Sequence, residues 1–285
     1  MTMETEAPAR RRAGCETDDV TVVVATRNRR ERLRETLPRH AAPVILVDNG
    51  SDDGGPDDHP GVDVVRLGAN RGAAARNAGV QRATTPFVAF ADDDSWWEPG
   101  SLARAAALLR AYPATGLVSA RVLVGPQQRE DPICAALAEA RFGVPDDAPG
   151  PAILGFLACA VMVRREAFLA AGGFHPMLHV YGEEALLAMD LAAAGQRLAY
   201  VPELTVRHMP LPAGRDNTAR RRREVRNRVL TALLRRPPAV IRATCAAAWR
   251  EDRGGVRDAL ALLPEVLRQR RTLPRDVERD LRLLD

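Results

Sequence analysis

Pro86 to Trp97 read PFVAFADDDSWW. Phe87 to Ala91 form a short apolar run of the kind that makes a buried strand, and three carboxylates, Asp92, Asp93 and Asp94, follow at its carboxyl end. Adjacent like charges repel unless a cation or a cluster of donors neutralises them. In open α/β sheets, ligands bind at the carboxyl ends of the strands. Hard carboxylate oxygens suit Mg2+ or Mn2+, ions that commonly join a few carboxylates to substrate phosphates. For the three aspartates alone, the alternative is a solvated acidic turn ahead of the helix that starts near Pro99 and Gly100.

The same pattern extends outward from this stretch. Val20 to Ala25 is a β-branched run ending in Thr26-Arg27-Asn28-Arg29, and Val44 to Val47 is a second run ending in Asp48-Asn49-Gly50. Val62 to Leu67 is a third strand, with helical spacing over Arg30 to Leu37 and Asn70 to Arg82. Alternation of this kind predicts an α/β fold, an open, Rossmann-like sheet that is mixed but mostly parallel, flanked by helices. Three successive strands end in polar groups suited to a nucleotide. Further on, the spacing predicts helices over Leu102 to Tyr112, Arg165 to Ala171 and Glu183 to Ala194, the last ended by Gly195. Strands are predicted at Gly116 to Val124, Phe156 to Val163, Leu198 to Val201 and Thr205 to Arg207, just before His208. The expected organisation is a disordered lead-in over 1–18, an α/β domain over 19–212 and a basic helical appendage over 213–285.

With 285 residues, 46% hydrophobic and 27% charged, the chain has the composition of a globular protein with a sizeable core. Its cationic side chains are all arginine. Nine of them fall between Arg215 and Arg236, against only Asp216 and Glu224, which points to an acidic partner such as a phosphate-bearing substrate or anionic lipid. Val225, Val229, Leu230, Leu233 and Leu234 between these arginines give the pattern of an interfacial helix, with packing on the rest of the protein as the alternative. No aromatic interleaving or reader motif accompanies the arginines, so no nucleic acid is expected. Cys15, Cys134, Cys159 and Cys245 lack metal-ligand or CxxC spacing and fit a reducing compartment. The longest apolar run, Ala152 to Val163, is short of the roughly 20 residues that cross a bilayer. With no signal-peptide pattern, the expectation is a cytoplasmic protein, with peripheral contact at the inner membrane face left open.

Taken in order, VTVVVATRNR (from Val20), VDNGSDD (from Val47), NRGAAARNAG (from Asn70), the DDD turn, GGFHP (from Gly172), GEE (from Gly182) and His208 resemble the family 2 glycosyltransferases over about residues 18–212. The resemblance implies the GT-A nucleotide-sugar-binding fold. It implies that Thr26 and Arg27 border the nucleotide base and that Asp48 accepts hydrogen bonds from base or ribose. Asn70, Arg71, Gly72, Arg76 and Asn77 would line the nucleotide pocket, with structural pairing to a carboxylate as the alternative for Arg76. Asp92 would contact the ribose or the metal's waters and Asp94 would bind Mn2+ or Mg2+, with His208 completing the site. Asp93 belongs to the same donor-binding turn and would face solvent or a backbone amide.

Glu184 would be the general base of an inverting transfer from a UDP-, dTDP- or GDP-sugar to an acceptor hydroxyl, with Glu183 orienting the acceptor. That acceptor could be lipid-linked, a cell-envelope polymer or a small metabolite. Many relatives read EDxDL followed by Arg, where this chain has Leu186 and, near the arginine position, Asp190, which bears on acceptor recognition. Of Trp96 and Trp97, one is expected to stack on sugar or acceptor and the other to fill the core. Two other readings stay open. A sugar nucleotidyltransferase would carry a GxGTR loop after the first strand, where this chain has Ala25-Thr26-Arg27-Asn28. A non-catalytic protein would dock on membrane or nucleic acid through the arginine-rich helix.

Overall fold

The computed structural model of the chain describes residues 17–210 and 217–284. Most of the expected lead-in, and Arg215 and Asp216 of the basic segment, lie outside the described residues. The first half runs β1 (Val20–Thr26), α1 (Arg30–Thr36), β2 (Val44–Asp48), β3 (Asp63–Arg66), α2 (Ala75–Arg82), β4 (Phe87–Asp92) and β5 (Ser95–Trp97). Next come α3 (Ser101–Ala111), β6 (Thr115–Val124), β7 (Arg129–Glu130), α4 (Pro132–Ala138), β8 (Val161–Arg164), α5 (Arg165–Ala171), α6 (Glu183–Ala193) and β9 (Arg197–His208). Five helices follow: α7 (Asn217–Arg235), α8 (Pro238–Glu251), α9 (Arg253–Leu260), α10 (Leu263–Gln269) and α11 (Arg275–Leu281).

The strands form one sheet in the order β3-β2-β1-β4-β8-β6-β9-β5, with β7 beside β6. β1 lies parallel to β2 and β4, and β2 parallel to β3. This is the half in which Val22, Val23 and Val24 are sealed on both faces, as parallel strands require. Beyond β4 the direction reverses: β8 is antiparallel to β4 and β6, and β5 antiparallel to β9, while β6 and β9 pair in parallel. Two predicted strands are corrected here. Ala158–Ala160 form a 3-10 turn, so extended chain begins only at Val161. The two short strands expected around Val201 and Thr205 are one strand, β9, whose register against β6 slips between Ala120 and Arg121. Pro202 stands at that slip and has no N–H for the ladder, which explains both the irregularity and the interrupted sequence signal.

Two packing features fix the site relative to the sheet. Gly79 of α2 lies against β1 and β2 so closely that a Cβ would sit 2.5 Å from Val23 Cγ1 and 2.9 Å from Val47 Cγ2. Phe90 of β4, Phe168 of α5 and Phe174 pack with ring centroids 5.4–5.6 Å apart. They tie the Gly172–Phe174 turn to the strand that ends in Asp92.

The basic segment forms α7 from Asn217 onward, but its apolar stripe faces inward. Val225, Val229, Leu230 and Leu234 are completely buried in a core of their own with Leu178, Leu186, Val256 and Val266. Of the two readings of this stripe, packing on the rest of the protein is the one the structure shows: its apolar area is covered by the chain itself and is not free for a bilayer. Asp190 of α6 accepts a forked pair of hydrogen bonds from buried Arg235, at 2.5 and 2.9 Å, so it anchors α7. Arg236 pairs with buried Glu278 at 2.8 Å, and Leu273, Val277 and Leu281 close over Met189. The helices after β9 therefore clasp α6 from both sides.

Candidate active site

Where β4 ends, Asp92 donates its backbone N–H to Ser95 Oγ at 2.8 Å, which turns the chain directly into β5. β5 pairs with β9 so that Ser95 stands opposite His208, and Met209 N–H donates to the Asp94 carbonyl at 2.8 Å. This register brings His208 Nε2 to 3.3 Å from Asp94 Oδ1. Asp92, Asp94 and His208 each offer one ligand atom, all within 4.8 Å of one another. Burial alone would lower the His208 pKa, but Asp94 overrides it and holds the imidazole above its usual value. Burial likewise pushes the Asp94 carboxyl up, and His208 with Arg29 and Arg32 more than reverses this. Two carboxylates and an imidazole, of which Asp92 and His208 line a cavity, fit a divalent ion such as Mn2+ or Mg2+.

Asp93 points the other way. Its Oδ2 accepts the Thr26 hydroxyl at 3.0 Å, and Thr36 Oγ1 donates to its carbonyl at 2.9 Å. Burial, with Asp94 and Asp92 beside it, raises its pKa to about 7. Asp93 thus does not face solvent or a backbone amide, and the Thr26 hydroxyl is committed to it.

Glu183 and Glu184 open α6 after a loop with an unusual backbone: His179 and Tyr181 have φ of +64° and +75°. Such conformations disfavour residues with a Cβ and persist only where the surroundings enforce them. Buried Asn227 of α7 does so, its Nδ2 donating to the carbonyls of Leu178, Val180 and Tyr181 at 2.7–2.8 Å. From the other side Ala73 N–H donates to the His179 carbonyl at 2.7 Å. Position 72 must be glycine, since a Cβ there would lie 2.2 Å from that same carbonyl. Asn227→Ala would strip this loop of its donors and is expected to cost about 2–4 kcal/mol, read as a lower urea midpoint at unchanged m. Glu183 is buried, its Oε2 has no partner among the described residues, and burial with Glu184 alongside pushes its pKa up to about 7. Burial raises Glu184 too, against the pull of backbone amides and Arg76.

Asp92 of the acid turn and His208 line the same cavity, of about 800 Å³, as the two glutamates. Glu224, Arg228 and Thr231 of α7 and Thr244 of α8 roof it, and Asp131 lines its side. A neighbouring cavity of about 320 Å³ is lined by Thr26, Arg27, Asn49, Asn70, Gly72 and Arg223 among others. Arg76 lines both cavities and pairs with Asp92, so the carboxylate partner considered for it is present and is itself a site residue.

Asp48 lines neither cavity: its Oδ1 caps the Ser51 N–H at 2.9 Å. Its neighbour Asn49 takes that position, donating to Asn70 Oδ1 at 3.0 Å and accepting Arg71 N–H at 2.7 Å. The Arg71 side chain is exposed outside both cavities. Asn77 is likewise removed from the pocket, because both amide atoms are bonded to the Phe174 backbone at 2.8 and 2.9 Å. Trp97 is buried and donates to the Phe90 carbonyl at 3.0 Å; Trp96 lies under the Arg39 guanidinium at 4.4 Å in a separate groove, away from the acid turn. Asn49, Asp131 and Thr244 escaped the sequence reading, while Arg223 and Arg228 fall in the arginine-rich segment read there as pointing to a phosphate-bearing substrate or anionic lipid. Asn49 had a signal, being the polar residue next to Asp48 at the same strand end.

Residues 21–170 match the family described as Glycosyl transferase family 2. The chain belongs to that family. It is 32% identical over 217 residues to the pre-mycofactocin glycosyltransferase of Mycobacterium tuberculosis, covering 71% of this chain and 45% of that one. It is 29% identical over 215 residues to the N-acetylglucosaminyl-diphospho-decaprenol L-rhamnosyltransferase of the same organism, covering 61% and 68%. The chain thus spans about half the length of the first of these relatives. Among solved structures, the mannosyltransferase PcManGT of Pyrobaculum calidifontis, in complex with GDP-Man and Mn2+, superposes with a TM-score of 0.58 at 23% identity, over 88% of this chain and 75% of that one. S. aureus TarS 1-349 with UDP-GlcNAc gives 0.57 at 14% identity, over 90% and 82%. These likenesses establish the GT-A type of fold. Among the described residues, no helix is long and apolar enough to cross a membrane.

Proposed function

We propose that this chain moves a sugar from a nucleoside-diphosphate sugar to an acceptor hydroxyl, with inversion at the anomeric carbon and with Glu184 as general base. The observation that carries this reading is the single cavity lined by Asp92 and His208, which converge with Asp94, and by Glu183 and Glu184. The smaller cavity, lined by Thr26, Asn49, Asn70 and Gly72, suits the nucleoside, and Arg76 between the two chambers suits the diphosphate. In one displacement the acceptor oxygen bonds to the anomeric carbon as the carbon–oxygen bond to the diphosphate breaks. The acceptor's proton passes to Glu184, and Glu183 orients the incoming hydroxyl. Asp92, Asp94 and His208 would hold a divalent ion, whose charge offsets that of the departing diphosphate.

Complexes of the fold neighbours with GDP-Man and UDP-GlcNAc support a nucleotide-sugar donor, and the decaprenol-linked compound in one relative's name supports a lipid-linked acceptor. A thermal-shift series of UDP, dTDP and GDP, each with and without Mn2+, tests the donor half. One base is expected to raise the unfolding temperature, and only with the ion; at 100 times its Kd a ligand adds about 2.7 kcal/mol. No shift with any of the three would sink the reading.

A further inference from the structure

α8 is a 14-residue helix in which only Ala248 is fully buried. Its inner side, with Ile241, Thr244 and Cys245, lies toward α7 and the main cavity, which Thr244 lines. Its outer side presents Arg242, Ala243, Ala246, Ala247, Trp249 and Arg250, all exposed and without one acidic or amide group. Glu251, at the end of the helix, pairs instead with Arg221 and Arg228 of α7. Trp249 is 40% exposed, and from α9 the guanidinium carbons of Arg253 and Arg257 lie 5.6 and 5.8 Å from its ring centroid. One turn beyond Arg257, Leu260 is 43% exposed on the same helix. Arg242, Arg250, Arg253 and Arg257 pair with no carboxylate among the described residues, whereas Arg222 one helix away is held by Asp258 at 2.6 Å.

A tryptophan left in water among unneutralised arginines has the chemistry of a bilayer interface. The indole takes the headgroup level with its apolar body inward, and guanidinium groups meet lipid phosphates. Cationic side chains beside anionic lipid add attraction that falls off within a Debye length. We infer that the α8–α9 face, centred on Trp249 and ringed by Arg242, Arg250, Arg253 and Arg257, docks this protein on an anionic lipid surface. The surface stands on its own chemistry, independent of the transfer reaction, and is joined to it through Thr244. With α8 on the lipid, the outer wall of the acceptor chamber lies at the membrane.

The test is co-sedimentation of the full chain with vesicles of phosphatidylcholine alone and of phosphatidylcholine with phosphatidylglycerol, with no nucleotide present. Binding to the anionic vesicles is expected, weakened by salt, with a blue shift in tryptophan emission that W249F abolishes. Each basic side chain near such a surface is worth roughly fivefold, so R250E/R253E, which removes two and adds two negative charges, is expected to lower the partition by at least about 25-fold. Both arginines are exposed and without carboxylate partners, so circular dichroism and the urea midpoint should match the parent. R104E, which reverses an exposed charge on α3, is expected to leave binding unchanged. Equal partition onto both vesicle types, or an R250E/R253E protein that still binds, overturns the proposal. So does a result in which W249F instead abolishes self-association in sedimentation velocity, or in which a single-stranded oligonucleotide binds this face as well as the lipid does. The nucleotide thermal shift is a separate readout, so loss of vesicle binding and loss of the transferase reading are told apart.

Discussion

Glu184→Gln is expected to lower kcat by about 10²–10⁴ while leaving nucleotide binding intact. The amide fills the same space at the start of α6 but cannot take a proton from the acceptor, so the loss falls on the chemical step. The pH profile is the companion measurement. Burial together with the Glu184 charge pushes Glu183 up to about 7, and burial raises Glu184 as well. A protonated base is inert, so the wild-type rate is expected to climb with pH, with its midpoint above the ordinary carboxylate range. Stability carries the opposite sign. Glu183 has a folded value near 7 against an ordinary 4.5, so the native state keeps a proton that the unfolded chain has released. Its contribution is complete below about 4.5 and disappears as pH rises through about 7. Glu183→Gln is therefore expected to flatten the fall in urea midpoint over that window. An E184Q enzyme turning over at the parental rate would refute the role assigned to this glutamate.

Asp94→Ala is expected to lower kcat/KM by about 10³ or more and to abolish saturable Mn2+ binding. Asp94 sits beside His208, and together with Asp92 these are the three donors that converge. Removing the carboxylate leaves one acid and one imidazole, too few to compete with water for a hard ion. A ligating imidazole must be neutral, and Asp94 holds His208 above its usual value, so the ion's affinity is expected to weaken as pH falls. Titration calorimetry with Mn2+ at pH 6 and pH 8 reads this directly, without turnover. A D94A protein that keeps both the ion and its activity would show that Asp94 is not a metal ligand.

The parallel half of the sheet was legible because β-branched runs such as Val20 to Val24, closed by polar residues, have few other uses. The acid turn stood out for a similar local reason, since clustered charge beside an apolar strand needs a counterpart, whereas the two glutamates at the start of α6 were singled out only through the family resemblance. Strand direction beyond β4 was not, because it depends on how β8 and β6 meet through a long loop-rich connection. Asp48 and Asn77 show a second limit. Both carry polar groups suited to a ligand, and both spend them on the backbone, Asp48 at Ser51 and Asn77 at Phe174. Which of two adjacent polar residues reaches a pocket is decided by partners far away in sequence, as Asn49 and Asn70 demonstrate. The stripe on α7 marks a third limit. Amphipathicity announces that a helix face is covered and is silent about the cover. Here it is Leu178, Leu186 and the following helices, and not lipid.

The roof over the chamber belongs to a hydrophobic nucleus separate from the one beneath the sheet. Substitutions at Thr231 or Thr244 can thus reshape one side of the chamber without straining the strands that present Asp92 and Asp94, and changes in the two regions should combine almost additively. Descendants of one ancestral scaffold could in this way acquire new glycosylation targets by editing the tail alone, each inheriting the same grip on its donor.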